Sequence, residues 1–377
     1  MRIVKLSAAI LTALFLSATA TAATVTQEGS GIGKDGEIKV KVVFEDGKIK
    51  NVDILKQQEN PVLSQKVFTD LKDEIVKTDS ADLDVIAGAT YSSLGLLAAV
   101  KDAAQKAGIT LKKVEKKAVK AQVAIPAERN YDVVVVGSGG AGFAAALTAK
   151  ALGVSVILLE KMPQVGGNSL ISGAEMNVAQ SWIQKELGIK DSPELHAQDT
   201  LKGGDYKGDP AVVETMTHGA LPAAEWLKNT VGIRYEPHNL FQFGGNSVKR
   251  ALIPVGQTGT EYITKRSALA KKENIRVVTG MKAVALIKNK DGRVVGVSCE
   301  SNGKKYDFYA KGGIILATGG FGANAAMVKT YNPSLDERFK TTDTPGTTGE
   351  ALYLPQNAST ELANMQYTQT YPLSAPF

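Results

Sequence analysis

The sequence predicts an α/β fold: a parallel-sheet domain that includes a β-meander, preceded by a small α+β domain. Three patterns lead to this prediction. Residues 131–160 alternate strand, glycine turn, helix and strand; residues 275–310 contain short strands separated by turns; residues 24–113 combine a hairpin pattern with two helical segments. A length of 377 residues leaves room for two or three domains of ordinary size.

Residues 1–22 have the features of a secretory signal peptide. Lys5 lies in a short basic start, residues 8–18 are mostly apolar, and Ala20-Thr21-Ala22 forms a small-residue cleavage site. The apolar run is too short for a transmembrane helix. The sequence therefore predicts an exported protein, periplasmic or otherwise secreted.

The remaining composition narrows the function classes. Without Arg2 and Lys5, 42 basic residues face 38 acidic residues, and this excess is too small to indicate a nucleic-acid partner. The single cysteine, Cys299, excludes an internal disulfide. Three histidines show no metal-ligand spacing, and we expect each to lie on the surface or on a helix face; they are His196, His218 and His238.

The small domain, residues 24–113, begins with a hairpin pattern. Residues 36–55 alternate apolar and polar side chains on either side of Glu45-Asp46-Gly47-Lys48. Helical spacing follows over residues 64–77 and 94–106. These segments together predict an α+β unit.

Thr90 carries the chemical prediction for this domain. It follows Gly88 and Ala89 near a helix start, where a phosphate group is favourably placed, although from the residues alone its hydroxyl could be a helix N-cap. The pattern D-x-x-x-G-A-T-x-x-S over Asp84–Ser93 resembles the motif of periplasmic FMN-binding domains, and departs from it at Ala87, where Ser or Thr is usual. The resemblance implies FMN attached to Thr90 by a phosphoester bond, which a flavin transferase makes outside the cytoplasm.

Residues 114–129 form a predicted linker between this domain and the next. The stretch is polar and basic, with lysines at positions 116, 117 and 120. Such a composition fits either a semi-flexible tether or a rigid helix, and the sequence does not decide between them.

Residues 131–160 form a complete nucleotide-binding β-turn-α-β pattern, which opens with a β-branched run suited to a strand buried on both faces. Gly137 permits the tight turn, Gly139 lets the backbone approach a pyrophosphate, and Gly142 lets the following helix pack closely. Glu160 follows Gly137 by 23 positions, where its carboxylate can accept hydrogen bonds from a ribose. The unit predicts a Rossmann-like dinucleotide site.

The rest of this domain, which we place at residues 130–372, adds loops and strands at the expected binding edge. Gly166-Gly167-Asn168-Ser169 is a predicted loop whose amides and side chains could surround a diphosphate or a flavin ring. The other predicted elements are helical segments over residues 193–228 and 258–271, a β-meander over 275–310, and a buried strand over 312–316 that leads into a second glycine turn.

The domain resembles the FAD domain of the fumarate reductase and flavocytochrome c family. The resemblance rests on GSGGAG, Glu160, GGNS, SGAEMN, ATGGFG and residues 348–372. Glu350 and Ala351 depart from the family's T-G-D-G pattern. The resemblance implies non-covalently bound FAD, contacted around Ala141, Glu160, Asn168, Ser169, Gly173 and Ala174, with Glu350 at the position of the family's Asp.

Tyr371 supplies the substrate prediction. The fumarate reductases of the family have Gln-x-His-Pro where this sequence has Gln369-Thr370-Tyr371-Pro372. A phenol is neutral near pH 7, so it can donate one hydrogen bond or stack, but it offers no positive charge to a second carboxylate. A tyrosine at this place resembles the urocanate reductases, although it could be only a packing aromatic.

The resemblance implies a secreted reductase of the C=C bond of an α,β-unsaturated carboxylate, with urocanate favoured. Electrons would enter at FMN and pass to FAD from an external donor such as a membrane quinol dehydrogenase or a cytochrome. In the family a capping domain and a proton-donor arginine follow; residues 373–377 match the start of that domain, so we expect a piece of a longer chain that is inactive by itself. The alternatives are another enoate, such as fumarate, methacrylate or a cinnamate-like acid, and a non-catalytic electron carrier.

Overall fold

The structure is a computed structural model that describes residues 23–59, 61–86, 89–113, 125–335, 338–339, 341–358 and 361–370. The predicted signal peptide, residues 114–124 of the predicted linker, Tyr371 and residues 373–377 lie outside these ranges. The chain divides into two compact units, residues 1–116 and 117–377. In the described ranges no helix is both long enough and apolar enough to cross a membrane.

The first unit packs helices on a three-stranded antiparallel sheet with the order β1-β2-β3. Its elements are β1 (Thr24–Ile32), β2 (Glu37–Glu45), β3 (Lys48–Lys56), α1 (Pro61–Lys66), a π-helical turn (Val67–Leu71), α2 (Lys72–Thr78) and α3 (Thr90–Lys106). The predicted hairpin is confirmed, with Asp46 and Gly47 at positive φ in the two-residue turn between β2 and β3. Alternate β2 residues from Ile38 to Phe44 are fully buried and join one core with residues of α3.

The second unit is built on a six-stranded sheet with the order β10-β11-β12-β4-β5-β9. Its strands are β4 (Asn130–Val136), β5 (Val156–Leu159), β6 (Met176–Asn177), β7 (Tyr235–Phe241), β8 (Ala251–Pro254), β9 (Arg276–Val278), β10 (Lys282–Lys288), β11 (Val294–Ser301) and β12 (Lys304–Leu316). The strands β12, β4, β5 and β9 are parallel, and β10, β11 and β12 form the predicted antiparallel meander. The predicted α/β class is therefore confirmed.

Helices of the second unit pack on one face of the large sheet and against the smaller sheet. They are α4 (Gly140–Ala151), α5 (Gly167–Ile171), α6 (Trp182–Glu186), α7 (Pro193–Gly203), α8 (Pro210–Trp226) with a π-helical turn (Leu227–Val231), α9 (Gly259–Lys272), α10 (Ala325–Tyr331) and a 3-10 helix (Glu350–Ala358). Val135 of β4 packs with Phe143 of α4 and Ile263 of α9, while Val134 and Val136 pack with the meander on the opposite face. Burial of β4 on both faces follows from its β-branched run.

Four sequence predictions need correction. The helical segment at residues 193–228 is broken into α7 and α8, because Asp209 caps α8 and Pro210 cannot continue a helix through its missing N–H. The loop predicted at residues 166–169 contains the first turn of α5. β9 lies beside β5 and not in the meander. Residues 312–316 continue β12 after a register shift, and Ile315 is 39% exposed, so it is not buried.

A buried ion pair network lies at the start of β8 in the smaller sheet, which has the order β6-β8-β7. Arg250 is fully buried and donates to Asp191 and to Asp199, with its Nη1 2.7 Å from the Asp199 Oδ2. His196 lies on the inward face of α7 and is buried, so it is not on the surface; burial lowers its pKa, and the charge of Arg250 adds to this effect. Among the residues described, no cluster of three His, Cys, Asp or Glu side chains could hold a metal ion.

Candidate cofactor sites

A cavity of about 480 Å³ lies at the carboxyl ends of three parallel strands of the second unit. The residues that follow β4, β5 and β12 line it, namely Gly137–Ala141, Glu160–Met162 and Ala317–Gly319. Met281–Ala283, parts of residues 344–352, and Glu361 and Leu362 complete the wall. Ligands of open parallel sheets bind at this edge, and the volume suits a cofactor.

The glycine turn after β4 leaves no room for a side chain at Gly137 or at Gly142. Gly137 has φ +101°, and a Cβ there would lie 2.3 Å from the Ala317 carbonyl oxygen. A Cβ on Gly142 would lie 1.8 Å from the Gly137 carbonyl oxygen, so Gly142 brings α4 against the turn without lining the cavity itself. Gly139, Gly140 and Ala141 line the cavity at the first turn of α4. The helix therefore directs its positive N-terminus, with its free N–H groups, at the ligand.

Glu160 lines the cavity and also holds the glycine turn. Its Oε2 accepts hydrogen bonds from the Ser138 N–H at 2.9 Å and the Ser138 hydroxyl at 2.5 Å, while Oε1 accepts from the Met162 N–H at 2.8 Å. The Ser138 hydroxyl in turn accepts from the Gly166 N–H. A carboxylate has about four acceptor positions, so Glu160 retains capacity for the ribose hydroxyls that the sequence predicts.

Asn168 and Ser169 line the same cavity, and both make structural contacts. The Asn168 side chain donates to Asp343 Oδ1 at 2.7 Å and accepts from the Thr344 N–H at 2.7 Å. Ser169 Oγ accepts from the Gly140 N–H at 3.0 Å, which connects α5 to the first turn of α4. Both residues therefore hold segments of the cavity wall in position. Their direct contact with FAD stays a prediction.

Two other predicted FAD contacts lie away from this cavity. Gly173 and Ala174 occupy the turn between α5 and β6, and neither lines the wall. Ala174 has φ +61° and packs against the cluster formed by Leu227, Val231 and Tyr262. Their assignment as flavin contacts stays a prediction, as does that of Tyr371, which lies outside the described residues.

Glu350 lies in the cavity wall between Lys161 and Lys282, two lysines outside the predicted binding motifs. Its Oε1 is 3.1 Å from Lys161 Nζ and 3.1 Å from Lys282 Nζ, and its Oε2 accepts from the Thr348 hydroxyl. Burial alone would raise the pKa of Glu350, but the Thr348, backbone, Lys282 and Lys161 hydrogen bonds outweigh burial and lower the pKa to about 2. Lys161 directly follows the predicted site residue Glu160 in sequence, whereas no neighbouring motif indicates that Lys282 lies in the site.

These residues fit FAD. A helix N-terminus faces the cavity where a diphosphate would be stabilised, Gly137 and Gly139 keep side chains away from it, and Glu160 offers a carboxylate at the end of the next strand. Lys161 and Lys282 add positive charge to the wall. The helix N-terminus, the glycines, the carboxylate and the two lysines together match the requirements of a dinucleotide with an anionic centre.

Thr90 is the first residue of α3 in the other unit, and its side chain is exposed. The N-cap of α3 is Ala89, so the alternative in which Thr90 is the N-cap is wrong. Ser93, which ends the predicted motif, is buried; its Oγ accepts from the Ile86 N–H and donates to the Ala89 carbonyl. Ser93 thus connects Ile86 and Ala89 to α3, and the Thr90 side chain is accessible. An accessible hydroxyl at the positive end of a 17-residue helix fits a phosphoester of FMN.

Comparison with protein families identifies both sites. Residues 132–376 match the FAD binding domain family, and residues 33–105 match the FMN-binding domain family. The cavity lies in the first match and Thr90 in the second, which confirms both cofactor predictions at the level of the domains.

Two curated relatives are similar to this chain over part of their length. The chain is 41% identical over 350 residues to urocanate reductase from Eggerthella lenta, covering 91% of this chain and 57% of that protein. It is 37% identical over 243 residues to fumarate reductase (cytochrome) from Shewanella frigidimarina, covering 64% of this chain and 42% of that protein. The chain therefore spans little more than half the length of the first relative.

Among solved structures, the open conformation of a flavocytochrome c3 fumarate reductase matches with a TM-score of 0.58 and 32% sequence identity, over 66% of this chain and 45% of that chain. A 3-ketosteroid dehydrogenase from Rhodococcus jostii shares the fold, with a TM-score of 0.57 at 24% identity. The chain belongs to the fumarate reductase family of FAD-binding domain proteins, and it also carries an FMN-binding domain.

Proposed function

We propose that this chain is part of an exported flavin-dependent reductase that acts on the C=C bond of an α,β-unsaturated carboxylate, with urocanate as the favoured substrate. The observation that carries the proposal is the presence of two flavin sites in one chain, an FAD-type cavity and an exposed Thr90 at a helix start. The 41% identity to a urocanate reductase supports the reaction class. The signal-peptide pattern of residues 1–22 supports export.

The residues of the second unit bind and orient the cofactor. The first turn of α4 faces the diphosphate, Glu160 offers its carboxylate to the ribose, and Gly137 lets the backbone approach. When bound, reduced flavin supplies a hydride for the β-carbon of the enoate. The contribution of the protein is to hold the flavin and the substrate at reacting distance and orientation.

The first unit receives the electrons in this proposal. Thr90 carries FMN, which a flavin transferase attaches, and an external donor such as a membrane quinol dehydrogenase or a cytochrome reduces it. Exposed apolar side chains surround the start of α3, with Ile32 75%, Leu94 49% and Tyr91 41% exposed. Such a surface is suited to cover one side of an aromatic ring system, which supports a flavin at Thr90.

Tyr371 gives the substrate preference. Fumarate has a second carboxylate that needs a positive partner, and a neutral phenol does not supply one. Urocanate has an imidazole arm, for which a tyrosine ring and hydroxyl offer stacking and one hydrogen bond. Relatives named as fumarate and acrylate reductases make another enoate the second candidate. A non-catalytic electron carrier is the third.

The test compares substrates and flavin attachment in the whole protein, purified from an exporting host that contains a flavin transferase. With a reduced viologen as donor, we expect kcat/KM for urocanate to exceed that for fumarate, methacrylate and cinnamate by roughly tenfold or more. Tyr371→His should lower this preference because it introduces a group that can carry positive charge, while Tyr371→Phe keeps the ring as a control. Faster turnover of fumarate than of urocanate would reject the substrate assignment, and no turnover of any enoate would favour the electron carrier.

The same preparations report the FMN site by intact mass. We expect an increase of one FMN less one water, retained in Thr90→Ser, which keeps the hydroxyl, and lost in Thr90→Ala. Thr69→Ala removes another exposed threonine hydroxyl of the same unit and should leave the added mass in place. An added mass that survives Thr90→Ala would place the flavin on a different residue.

A further inference from the structure

We propose that Arg266 is a positioning residue of the FAD site, whose guanidinium, directly behind Gly140, supplies the buried positive charge that favours the diphosphate at the α4 glycine turn. The inference deepens the proposed function, because it rests on FAD as the ligand of the cavity. It concerns a residue outside the glycine, Glu160 and GGNS motifs. Three observations lead to it: the burial of Arg266, its missing acidic partner, and its position.

Arg266 is a buried cation without an acidic partner. It is 7% exposed, and in the described part of the chain its Nε has no hydrogen-bond acceptor and no carboxylate forms an ion pair with it. Its Nη1 donates to the Gly140 carbonyl oxygen at 3.2 Å. Arg250, the other deeply buried arginine of this unit, has two aspartates instead. Burying an isolated charge costs free energy. Two aspartates offset this cost for Arg250, whereas no anionic side chain among the described residues does so for Arg266, which is therefore suited to a negatively charged ligand.

The packing of α9 places this cation beside the glycine turn. A Cβ on Gly259 would lie 1.7 Å from the Ser169 carbonyl oxygen, and the Gly259 N–H donates to the Ser172 carbonyl at 2.7 Å, so α9 contacts α5 closely. Two turns later Arg266 reaches Gly140; its Nη1 lies 3.2 Å from the position of a Cβ on that glycine. Gly140 lines the cavity, so the guanidinium is directly behind the cavity wall.

The surroundings of Arg266 hold the guanidinium in this place. Its central carbon is 5.4 Å from the ring centroid of Tyr262, whose hydroxyl donates to the Tyr235 hydroxyl at 2.9 Å. Burial lowers the pKa of Arg266, while both tyrosines act in the opposite direction. An arginine remains charged under such conditions, so a fixed positive charge lies behind the glycine turn that faces the diphosphate. A diphosphate is thus the ligand chemistry that this charge fits.

The competing explanation is purely structural: Arg266 would only connect α9 to α4 through the Gly140 carbonyl. Arg266→Gln separates the two, because glutamine keeps an N–H donor and loses the charge. Arg266→Lys keeps the charge and loses the planar donor arrangement. Lys271→Met removes an exposed charge from the same helix and serves as the matched control.

The experiment measures binding of ADP and of adenosine to the flavin-free protein by calorimetry, with no activity assay. These probes share the nucleoside and differ in the diphosphate. We expect Arg266→Gln to weaken ADP binding by roughly tenfold, to change adenosine binding by less than about twofold, and to flatten the salt dependence of ADP binding. Arg266→Lys should recover most of the ADP affinity, and Lys271→Met should leave both affinities unchanged.

Three results would overturn the inference. Unchanged ADP affinity in Arg266→Gln shows that the charge is not used, and an equal loss for ADP and adenosine shows a structural role. If Arg266→Gln does not fold, Arg266→Lys takes its place in the test. An equal loss of ADP and adenosine affinity in Arg266→Lys would then show a structural role. Wild-type protein that binds neither probe rejects the nucleotide cavity of the proposed function together with this inference, whereas the first two results leave that function intact.

Discussion

At the scale of single residues, Glu160 and Glu350 show how one side-chain type acts differently in one cavity. Glu160 accepts three hydrogen bonds from uncharged donors and fixes the glycine turn, while Glu350 is held by two lysines and a hydroxyl. The position of Glu160 after a strand predicts its place in the cavity. The partners of Glu350 became apparent only in three dimensions.

Glu350 makes stability depend on pH. Its pKa in the folded chain is about 2, below the ordinary value of 4.5, so its contribution is fully present above pH 4.5 and decreases as the pH falls from 4.5 toward 2. We expect Glu350→Gln to lower the free energy of unfolding at pH 7 by about 1 kcal/mol, a modest effect because the side chain is 35% exposed. The difference from the wild type should shrink as the pH is lowered from 5 to 3, measured by urea unfolding.

Glu225→Gln is the control for this experiment, because Glu225 is an exposed carboxylate of α8. Glu225→Gln should leave the free energy of unfolding almost unchanged at pH 5 and at pH 3. A Glu350→Gln deficit that stays constant between pH 5 and pH 3 would contradict the role of the ionised carboxylate.

At the scale of elements, the strand-turn-helix unit brings a helix N-terminus to the cavity through close packing. α4 can approach the end of β4 because Gly142 has no side chain; a Cβ there would lie 1.8 Å from a backbone oxygen. At an exposed helical position, by contrast, a side chain has room. A Cβ on Gly219 in α8 would have no atom within 4 Å, so glycine there only adds flexibility to the unfolded chain.

Alanine at these two glycines should therefore have opposite effects. Gly142→Ala should destabilise the second unit by roughly 1–3 kcal/mol or more and reduce FAD retention, because α4 must move away from the turn. Gly219→Ala should stabilise it by about 0.5–1 kcal/mol and leave FAD retention unchanged. Urea unfolding and the flavin-to-protein absorbance ratio measure both outcomes, and a Gly142→Ala protein as stable and as yellow as the wild type would disprove the packing argument.

At the scale of the whole molecule, the chain contains two units that each have a hydrophobic core. Among the described residues, the first unit has one buried cluster between its sheet and helices, and the second has clusters on both faces of its large sheet. Units with their own cores are able to fold separately. The two tryptophans, Trp182 and Trp226, both belong to the second unit and report on it alone.

We expect thermal unfolding in two transitions. Added FAD should raise the midpoint temperature of only one of them. Tryptophan fluorescence should follow the transition that FAD shifts, because a ligand stabilises the unit to which it binds. Far-UV circular dichroism should also detect a second transition that FAD leaves in place. One transition seen by both probes and shifted completely by FAD would contradict this expectation. Adding riboflavin, which lacks the diphosphate and adenosine, is the control and should shift the transition less.

The sequence alone determined the fold class, the hairpin, the β4-α4-β5 unit and the β-meander, because these depend on local periodicity and turn residues. It also selected Gly137 and Glu160 for the cavity, because their spacing follows from one continuous segment. Local patterns did not determine which distant segments meet. Lys282 beside Glu350, Arg266 beside Gly140 and the displacement of Gly173 from the cavity wall depend on the packing of separate helices and strands, which only the tertiary structure decides.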